Sequence, residues 1–296
     1  MSLELESWSF HIKNDFSLCG WRTRFSGKPV IVFLHGNGFC GLTYRPMLQE
    51  LAKDFDLIIP DLPGHGDSGY GRDFHGWNDT AKFMSSVLNN LSHQIPATTP
   101  IFGLGHSYGG VVTALMAGSH DKRFKKVMLL DPVIFSSGML SVMKAADIFG
   151  LLEHHELAKQ ARNRTTVWPS KEAAYDYFHE RGTFKGWSEA SLQAYVDYAL
   201  MPCEEGVTLK CPVEVEANIF ASYPKKLWWH LRKMQAPCKI LMAERSFPFI
   251  ARSVNKLTQL KAYSAEEVPG GHCFMQERPE ETAEMIKQWF QESRIF

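Results

Sequence analysis

The chain has 296 residues, 45% of them hydrophobic, and its 32 basic side chains are balanced by 32 acidic ones, so it carries no formal net charge. That balance lacks the basic footprint of a nucleic-acid binder, and no apolar run reaches the roughly 20 residues that a membrane-spanning helix needs. The length suits one large core, or a core domain that carries an insertion.

The opening MSLELESWSFHIK sets acidic and polar residues where a secretory signal would need a basic segment and an apolar stretch, so a cytoplasmic location is expected. Two β-like stretches follow, SWSFHI (7–12) and SLCGWRTR (17–24). KPVIVFLHG (28–36) then reads as a buried strand, rich in β-branched residues and ending in glycine. YRPMLQELAKD (44–54) has helical spacing, and FDLIIPD (55–61) is a second buried strand. WNDTAKFMSSVLNNLSH (77–93) is predicted helical, with Asn78 or Asp79 as its cap. A strand at 100–105, a helix from about 108 to 119 and the strand KKVMLLD (125–131) complete the first half. Strands alternating with helices predict a parallel sheet with helices on both faces.

After Asp131-Pro132 the rhythm breaks, and 132–236 holds helical segments with no clear buried strand. These include SVMKAADIFGLLEHHELAKQARN, SKEAAYDYFHERG and SEASLQAYVDYALM. The alternation resumes with CKILMAE (238–244), KAYSAEEVP (261–269) and a last helix, PEETAEMIKQWFQES (279–293). One α/β core domain, 1–131 and 237–296, is therefore expected to carry a helical cap domain at 132–236. Six cysteines, at 19, 40, 203, 211, 238 and 273, form no CxxC pair and no metal-ligand spacing, and are expected to be mostly buried free thiols. Cys203 and Cys211 are the conceivable disulfide. His154 and His155 would point in different directions from a helix, so no metal site is expected there, and no metal or organic cofactor is implied elsewhere.

The chemistry centres on IFGLGHSYGGVV (101–112), where three glycines surround one serine between an apolar strand and a helix. In that context Gly-x-Ser-x-Gly is a nucleophile elbow, a turn so tight that side chains at Gly105 and Gly109 would strike neighbouring backbone. Ser107 is the candidate nucleophile, and the dipole of the following helix faces charge developing beside its hydroxyl. A serine needs a base that is itself oriented. VPGGHCF (268–274) supplies His272 after the last strand, with two glycines that let the loop reach back. His106 adjoins the serine but should point into neighbouring structure. The oxyanion would be held by the backbone amides of Tyr108, next after the nucleophile, and of Asn37 in HGNGF (35–39), while His35 braces that loop.

FLHGNGF, DLPGHGDSG (61–69), GLGHSYGG and GGHCF stand in the order in which the α/β-hydrolase superfamily carries them, and the chain resembles the capped, serine-nucleophile members of that superfamily. The resemblance implies a mostly parallel eight-stranded sheet, a helical cap inserted after strand 6, and a serine–acid–histidine triad in that chain order. Where the family usually keeps its acid, after the seventh strand, this chain reads KILMAERSFPF (239–249), with Ser246 at the place of the aspartate. Serine cannot carry the charge that stabilises an imidazolium. Asp131, at the end of the sixth strand, is the favoured acid, as in some family members. Glu244 is the alternative, and Ser246 itself is expected to be catalytically idle.

The insertion is rich in aromatic residues, among them Phe149, Trp168, Tyr175, Tyr177, Phe178, Phe184, Trp187, Tyr195, Tyr198, Trp228 and Trp229. Most should pack a small core, and the remainder should make an apolar pocket. Phe39, beside the oxyanion loop, is the pocket candidate, with Phe135, Met139, Met143 and Phe149 as weaker contributors. The expected activity is hydrolysis of a carboxylic ester or thioester of a small-to-medium apolar acyl group through an acyl-enzyme. Hydrolysis of a C–C bond, an amide or a lactone, or ligand binding without catalysis, are the alternatives. The expected partner is a small apolar acyl substrate, and the oligomeric state is not legible in the sequence.

Overall fold

A computed structural model describes residues 3–12, 15–119 and 123–292. The chain begins with β1 (Glu6–Ile12) and β2 (Phe16–Arg22), then runs through β3 (Val30–Leu34), α1 (Arg45–Leu51), β4 (Asp56–Pro60), α2 (Trp77–Ser92), β5 (Ile101–His106), α3 (Ser107–Gly118) and β6 (Phe124–Leu130). All five residues of β3 and all five of β4 are buried, as befits parallel strands covered on both faces. Alternate side chains of β3 serve opposite cores. Ile31 and Phe33 pack with Met47, Leu48, Ile286 and Phe290, whereas Val30, Val32 and Leu34 pack with Met84, Leu88, Val111 and Leu115.

The chain then leaves the sheet for α4 (Ser137–Ile148), α5 (Glu156–Arg162), β7 (Val167–Trp168), α6 (Lys171–Phe178), α7 (Glu189–Tyr198), β8 (Leu200–Cys203), β9 (Gly206–Leu209) and α8 (Val213–Phe220). It returns through α9 (Leu227–Lys233), β10 (Cys238–Arg245), α10 (Pro248–Leu257), β11 (Tyr263–Gly271), α11 (Phe274–Glu277) and α12 (Pro279–Gln291). Eight strands form one sheet in the order β1-β2-β4-β3-β5-β6-β10-β11. Only the β1–β2 and β2–β4 junctions are antiparallel. The five others are parallel. Helices α1 and α12 cover one face, and α2, α3, α9 and α10 the other. This is the α/β-hydrolase fold.

The excursion between β6 and β10 differs from its sequence reading in two respects. It contains a small antiparallel sheet, β7-β9-β8, which the sequence did not reveal because strands of two to four residues are too short to show a period. The long helical stretch around 141–163 is also divided, with Gly150 at φ +65° between α4 and α5. His155 lies at the start of α5, where its ring accepts a hydrogen bond from the Leu157 amide. Within the core, α2 is capped by the extended Gly76 rather than by Asn78 or Asp79. The Asn78 side chain instead pairs both ways with Lys225, donating to its carbonyl at 3.0 Å and accepting from its amide at 2.7 Å.

Candidate active site

Four residues directly follow the carboxyl ends of neighbouring parallel strands: Ser107 after β5, Asp131 after β6, Ser246 after β10 and His272 after β11. Parallel strands end on one edge of the sheet, so residues spread over 166 positions of sequence meet at a single edge.

Ser107 sits at φ +54°, a left-handed conformation that is strained for a residue with a β-carbon. The turn that imposes it leaves no room for side chains on either flank. A β-carbon at Gly105 would lie 2.5 Å from the Gly109 carbonyl oxygen, and one at Gly109 would lie 2.3 Å from the carbonyl oxygens of Leu34 and His35. These contacts account for two of the glycines around the serine. The strain aims the hydroxyl at the sheet edge, where His272 Nε2 accepts its hydrogen bond at 2.9 Å.

The other ring nitrogen, Nδ1, donates to Asp131 Oδ2 at 2.6 Å, so one imidazole bridges Ser107 and Asp131. Asp131 is fully buried, at φ +39°, with its amide donating to the Leu241 carbonyl of β10 at 2.7 Å. A buried carboxylate is tolerable only when its oxygens are hydrogen-bonded. Besides His272, Oδ1 accepts from the Ala243 amide at 3.0 Å, and Oδ2 accepts from the Ser246 hydroxyl at 2.6 Å. Ser246, expected to be catalytically idle, thus stands in direct contact with the Asp131 carboxylate. The signal was present in the sequence: a hydroxyl at the family's acid position stands close enough to an acid brought in from the neighbouring strand to donate to it. Glu244 points outward, more than half exposed, with Arg245 at 3.8 Å.

In the loop after β3, His35 is buried, donates from Nδ1 to the Gly36 carbonyl at 2.8 Å and accepts from the Leu62 amide at Nε2, 2.9 Å. His65 does the same for the next turn, accepting from the Gly38 amide at 3.0 Å and donating to the Pro63 carbonyl at 3.0 Å. The Phe39 amide turns back to the Gly36 carbonyl. These bonds occupy the amides that follow Asn37. Among the described residues the Asn37 amide itself donates to no backbone or side-chain acceptor. The Tyr108 amide, in the first turn of α3, has no acceptor within the helix. The Asn37 side chain donates to the Glu216 carbonyl of α8 at 3.0 Å, so the excursion grips this loop.

His106 points away from the serine, into a buried relay that the sequence did not disclose. The Gly36 amide donates to the Tyr44 hydroxyl at 3.1 Å, that hydroxyl donates to His106 Nδ1 at 2.7 Å, and His106 Nε2 donates to the His272 carbonyl at 2.9 Å. Burial, with His272 nearby, holds the His106 ring well below its ordinary pKa and therefore neutral, which this donor–acceptor pattern requires. Burial likewise lowers His35 well below the ordinary value and His65 to about 4.

A run of aromatic rings starts at the His272 imidazole, on the side of α10. Phe247, 40% exposed, lies edge-on to His272 with centroids 5.1 Å apart. Phe247 stacks on Phe249 at 5.8 Å and Phe249 on Phe135 at 5.5 Å. Phe135 then meets Trp77 at 5.9 Å, and Trp77 meets Tyr108 at 4.7 Å. The rings thus connect the imidazole to Tyr108, the residue after Ser107. Phe39 does not belong to it. Its ring is buried against Tyr44, Trp187, Tyr195 and His106, so it packs the excursion onto the core instead of facing an open pocket. Most of the expected aromatic residues of the excursion also pack, as with Trp168, Phe178, Phe184, Trp187 and Tyr195, while Phe149 is 75% exposed. Among the described residues no three His, Cys, Asp or Glu side chains are grouped to hold a metal ion. No helix among them is long and apolar enough to cross a membrane.

Eight strands in this order, with a serine on a strained strand–helix turn beside a histidine and a buried carboxylate, make up the architecture of the α/β-hydrolase fold. The chain matches the model of the alpha/beta hydrolase family over residues 31–285 and belongs to that family. Its sequence is 26% identical over 180 residues to the type I acyl-CoA thioesterase mpaH of Penicillium roqueforti, covering 57% of this chain and 39% of that protein. It is 32% identical over 109 residues to the pimeloyl-[acyl-carrier protein] methyl ester esterase of Pectobacterium carotovorum, covering 36% of this chain and 38% of that protein. The chain spans less than half the length of these curated relatives. Among solved structures, E-2-(acetamidomethylene)succinate hydrolase superposes with a TM-score of 0.76 at 18% identity, over 98% of this chain and 100% of that one. The thioesterase domain from the curacin biosynthetic pathway superposes with a TM-score of 0.73 at 16% identity, over 96% and 99% respectively.

Proposed function

We propose that the protein is a serine hydrolase that cleaves carboxylic esters or thioesters of small-to-medium apolar acyl groups. The observation that carries this reading is the unbroken hydrogen-bonded line from Ser107 Oγ through the His272 ring to the buried Asp131 carboxylate. In the proposed reaction Ser107 Oγ attacks the acyl carbonyl carbon while His272 Nε2 takes its proton, and Asp131 stabilises the imidazolium. The amides of Asn37 and Tyr108 receive the oxyanion, each worth roughly 3–4 kcal/mol in the transition state. His272 returns the proton to the departing alcohol or thiol. Water, deprotonated by the same nitrogen, then releases the acid from Ser107.

An apolar acyl group is supported by the rings that run from His272, of which Phe247, Phe249 and Phe135 are not fully buried. The activities named for the fungal thioesterase and the bacterial methyl ester esterase are both hydrolyses of an acyl carbonyl compound. We assign the cap over this edge to residues 132–226 of the expected 132–236, because α9 belongs to the core, where Leu227 and Leu231 pack in the same cluster as α3.

The test is labelling by a fluorophosphonate followed by turnover of p-nitrophenyl esters and acyl-CoA thioesters of graded chain length. The wild type should be labelled, and Ser107→Ala should be folded, unlabelled and inactive. Turnover of any ester by Ser107→Ala at the wild-type rate would remove the serine from the mechanism.

A further inference from the structure

We propose that Ser246, which occupies the family's usual acid position without being an acid, is a positioning residue that holds the Asp131 carboxylate in register with His272. The proposal rests on the serine-hydrolase reading and adds a fourth side chain to it.

The geometry is specific. Asp131 Oδ2 receives two donors at the same distance, Ser246 Oγ and His272 Nδ1, each at 2.6 Å, while Oδ1 receives the Ala243 amide at 3.0 Å. Both distances to Oδ2 are short, as expected for donors to an ionised oxygen. Ala243 and Ser246 belong to β10 and its immediate end, so that segment supplies two of the three donors to an acid rooted on β6. The Asp131 amide is bonded to Leu241 of β10 as well. The acid therefore stands on one strand and is aimed by the next. With Oδ1 fixed by a backbone amide, the remaining rotation of the carboxylate is set by what meets Oδ2. The Ser246 hydroxyl fills one lone-pair direction and leaves the other for the imidazole.

Two consequences follow. The hydroxyl stabilises the carboxylate in a site from which water is excluded, where an oxygen short of donors is costly. It also withdraws electron density from the oxygen that receives the His272 proton donor, moderating the pull on the imidazolium. Without it the carboxylate faces the ring alone, the imidazolium is held more strongly, and His272 takes up its proton at a higher pH. The other titratable groups about the ring stay in place. His106 lies 4.9 Å away between centroids and Cys273 is next in the chain, while Glu180, Lys185, Arg245 and Glu277 border the cleft that His272 lines.

The experiment compares wild type, Ser246→Ala and Ser246→Thr by the pH dependence of fluorophosphonate labelling of Ser107 and of kcat and KM for one ester. In Ser246→Ala kcat should fall roughly ten- to a hundredfold, the range for a lost hydrogen bond to a charged group, with KM little changed. The acid limb of labelling should move to higher pH. Ser246→Thr, which keeps the hydroxyl, should restore both. Thermal unfolding of each variant separates a loss of fold from a loss of alignment. A fall in kcat with an unmoved acid limb, or wild-type kinetics in a folded Ser246→Ala, would overturn the proposal. Absence of labelling in the wild type would overturn the serine-hydrolase reading instead.

Discussion

His106 donates from Nε2 to the main-chain carbonyl of His272 at 2.9 Å, so the residue before Ser107 holds the backbone of the histidine that meets its hydroxyl. The same ring accepts from Tyr44, whose hydroxyl also holds the amide of Gly36, one residue before the candidate oxyanion donor Asn37. One buried neutral histidine thus ties together the three segments that the proposed acyl transfer requires to stay in register. Each link is an ordinary hydrogen bond. Their combined value lies in positioning, because small misplacements of reacting groups carry large costs in rate.

Tyr44→Phe tests that tie. The substitution keeps the ring and leaves the Gly36 amide and His106 Nδ1 unpartnered in a dry interior. A stability loss on the order of 2 kcal/mol is expected, together with a fall in kcat. Urea unfolding and ester turnover measure the two effects. An unchanged unfolding midpoint would show that the relay contributes nothing.

Asp131→Asn should lower kcat by a factor on the order of 10⁴, because an amide favours the wrong imidazole tautomer and cannot stabilise the imidazolium. Glu244→Gln, which alters an outward-facing side chain, should do little. Adding Ser246→Asp to Asp131→Asn should recover part of the lost turnover, since position 246 lies 2.6 Å from the Asp131 oxygen that meets His272. Single-turnover kinetics on the three variants decide the assignment. Equal activity of Asp131→Asn and wild type would dismiss Asp131 as the acid.

The ring-lined side of the site should govern chain length and not the chemistry. Phe247→Ala and Phe135→Ala should raise KM for the preferred acyl chain by roughly tenfold, the value of an aromatic contact partly lost. Fluorophosphonate labelling, which needs no acyl chain, should proceed at nearly the wild-type rate. If both variants keep the wild-type chain-length profile, the acyl group lies elsewhere.

Stability should decline as the solution is acidified below about pH 6.5, where histidines of an unfolded chain begin to take up protons. His35, His65 and His106 are depressed by burial, His65 to about 4, so the folded state stays unprotonated while the unfolded state binds three protons. The stabilisation they provide is present above pH 6.5 and is lost as pH falls towards their folded values. Asp61 acts in the opposite sense. Burial raises it to about 6, so its contribution is present below about pH 4 and is lost as pH rises towards 6. Three histidines outweigh one carboxylate, leaving a net of two protons, each worth about 1.4 kcal/mol per pH unit. Urea midpoints at pH 7, 6 and 5 should fall in that order, and a midpoint that rises on acidification would contradict the burial of these rings.

Local chemistry made the sheet and the strained turn at Ser107 legible in the sequence. Apolar runs such as VIVFL and LIIP read as strands covered on both faces, and Gly105 was required by a contact with Gly109 four residues along the chain. His272 was legible for a similar reason, since it directly follows the last strand in a glycine-rich loop. What the linear order could not show depended on which strands became neighbours. Asp131 and Ser246 are 115 residues apart and touch only because β6 and β10 pair in parallel with nothing between them. Tyr44 and His106, separated by 62 positions, meet only when the loop after β3 folds over the end of β5. Phe39 was legible as an aromatic residue beside the oxyanion loop. Its enclosure by Trp187 and Tyr195 was settled by the docking of residues 182–198 onto that loop, because hydrophobic attraction has no direction and a buried ring faces whichever apolar partners the tertiary fold delivers.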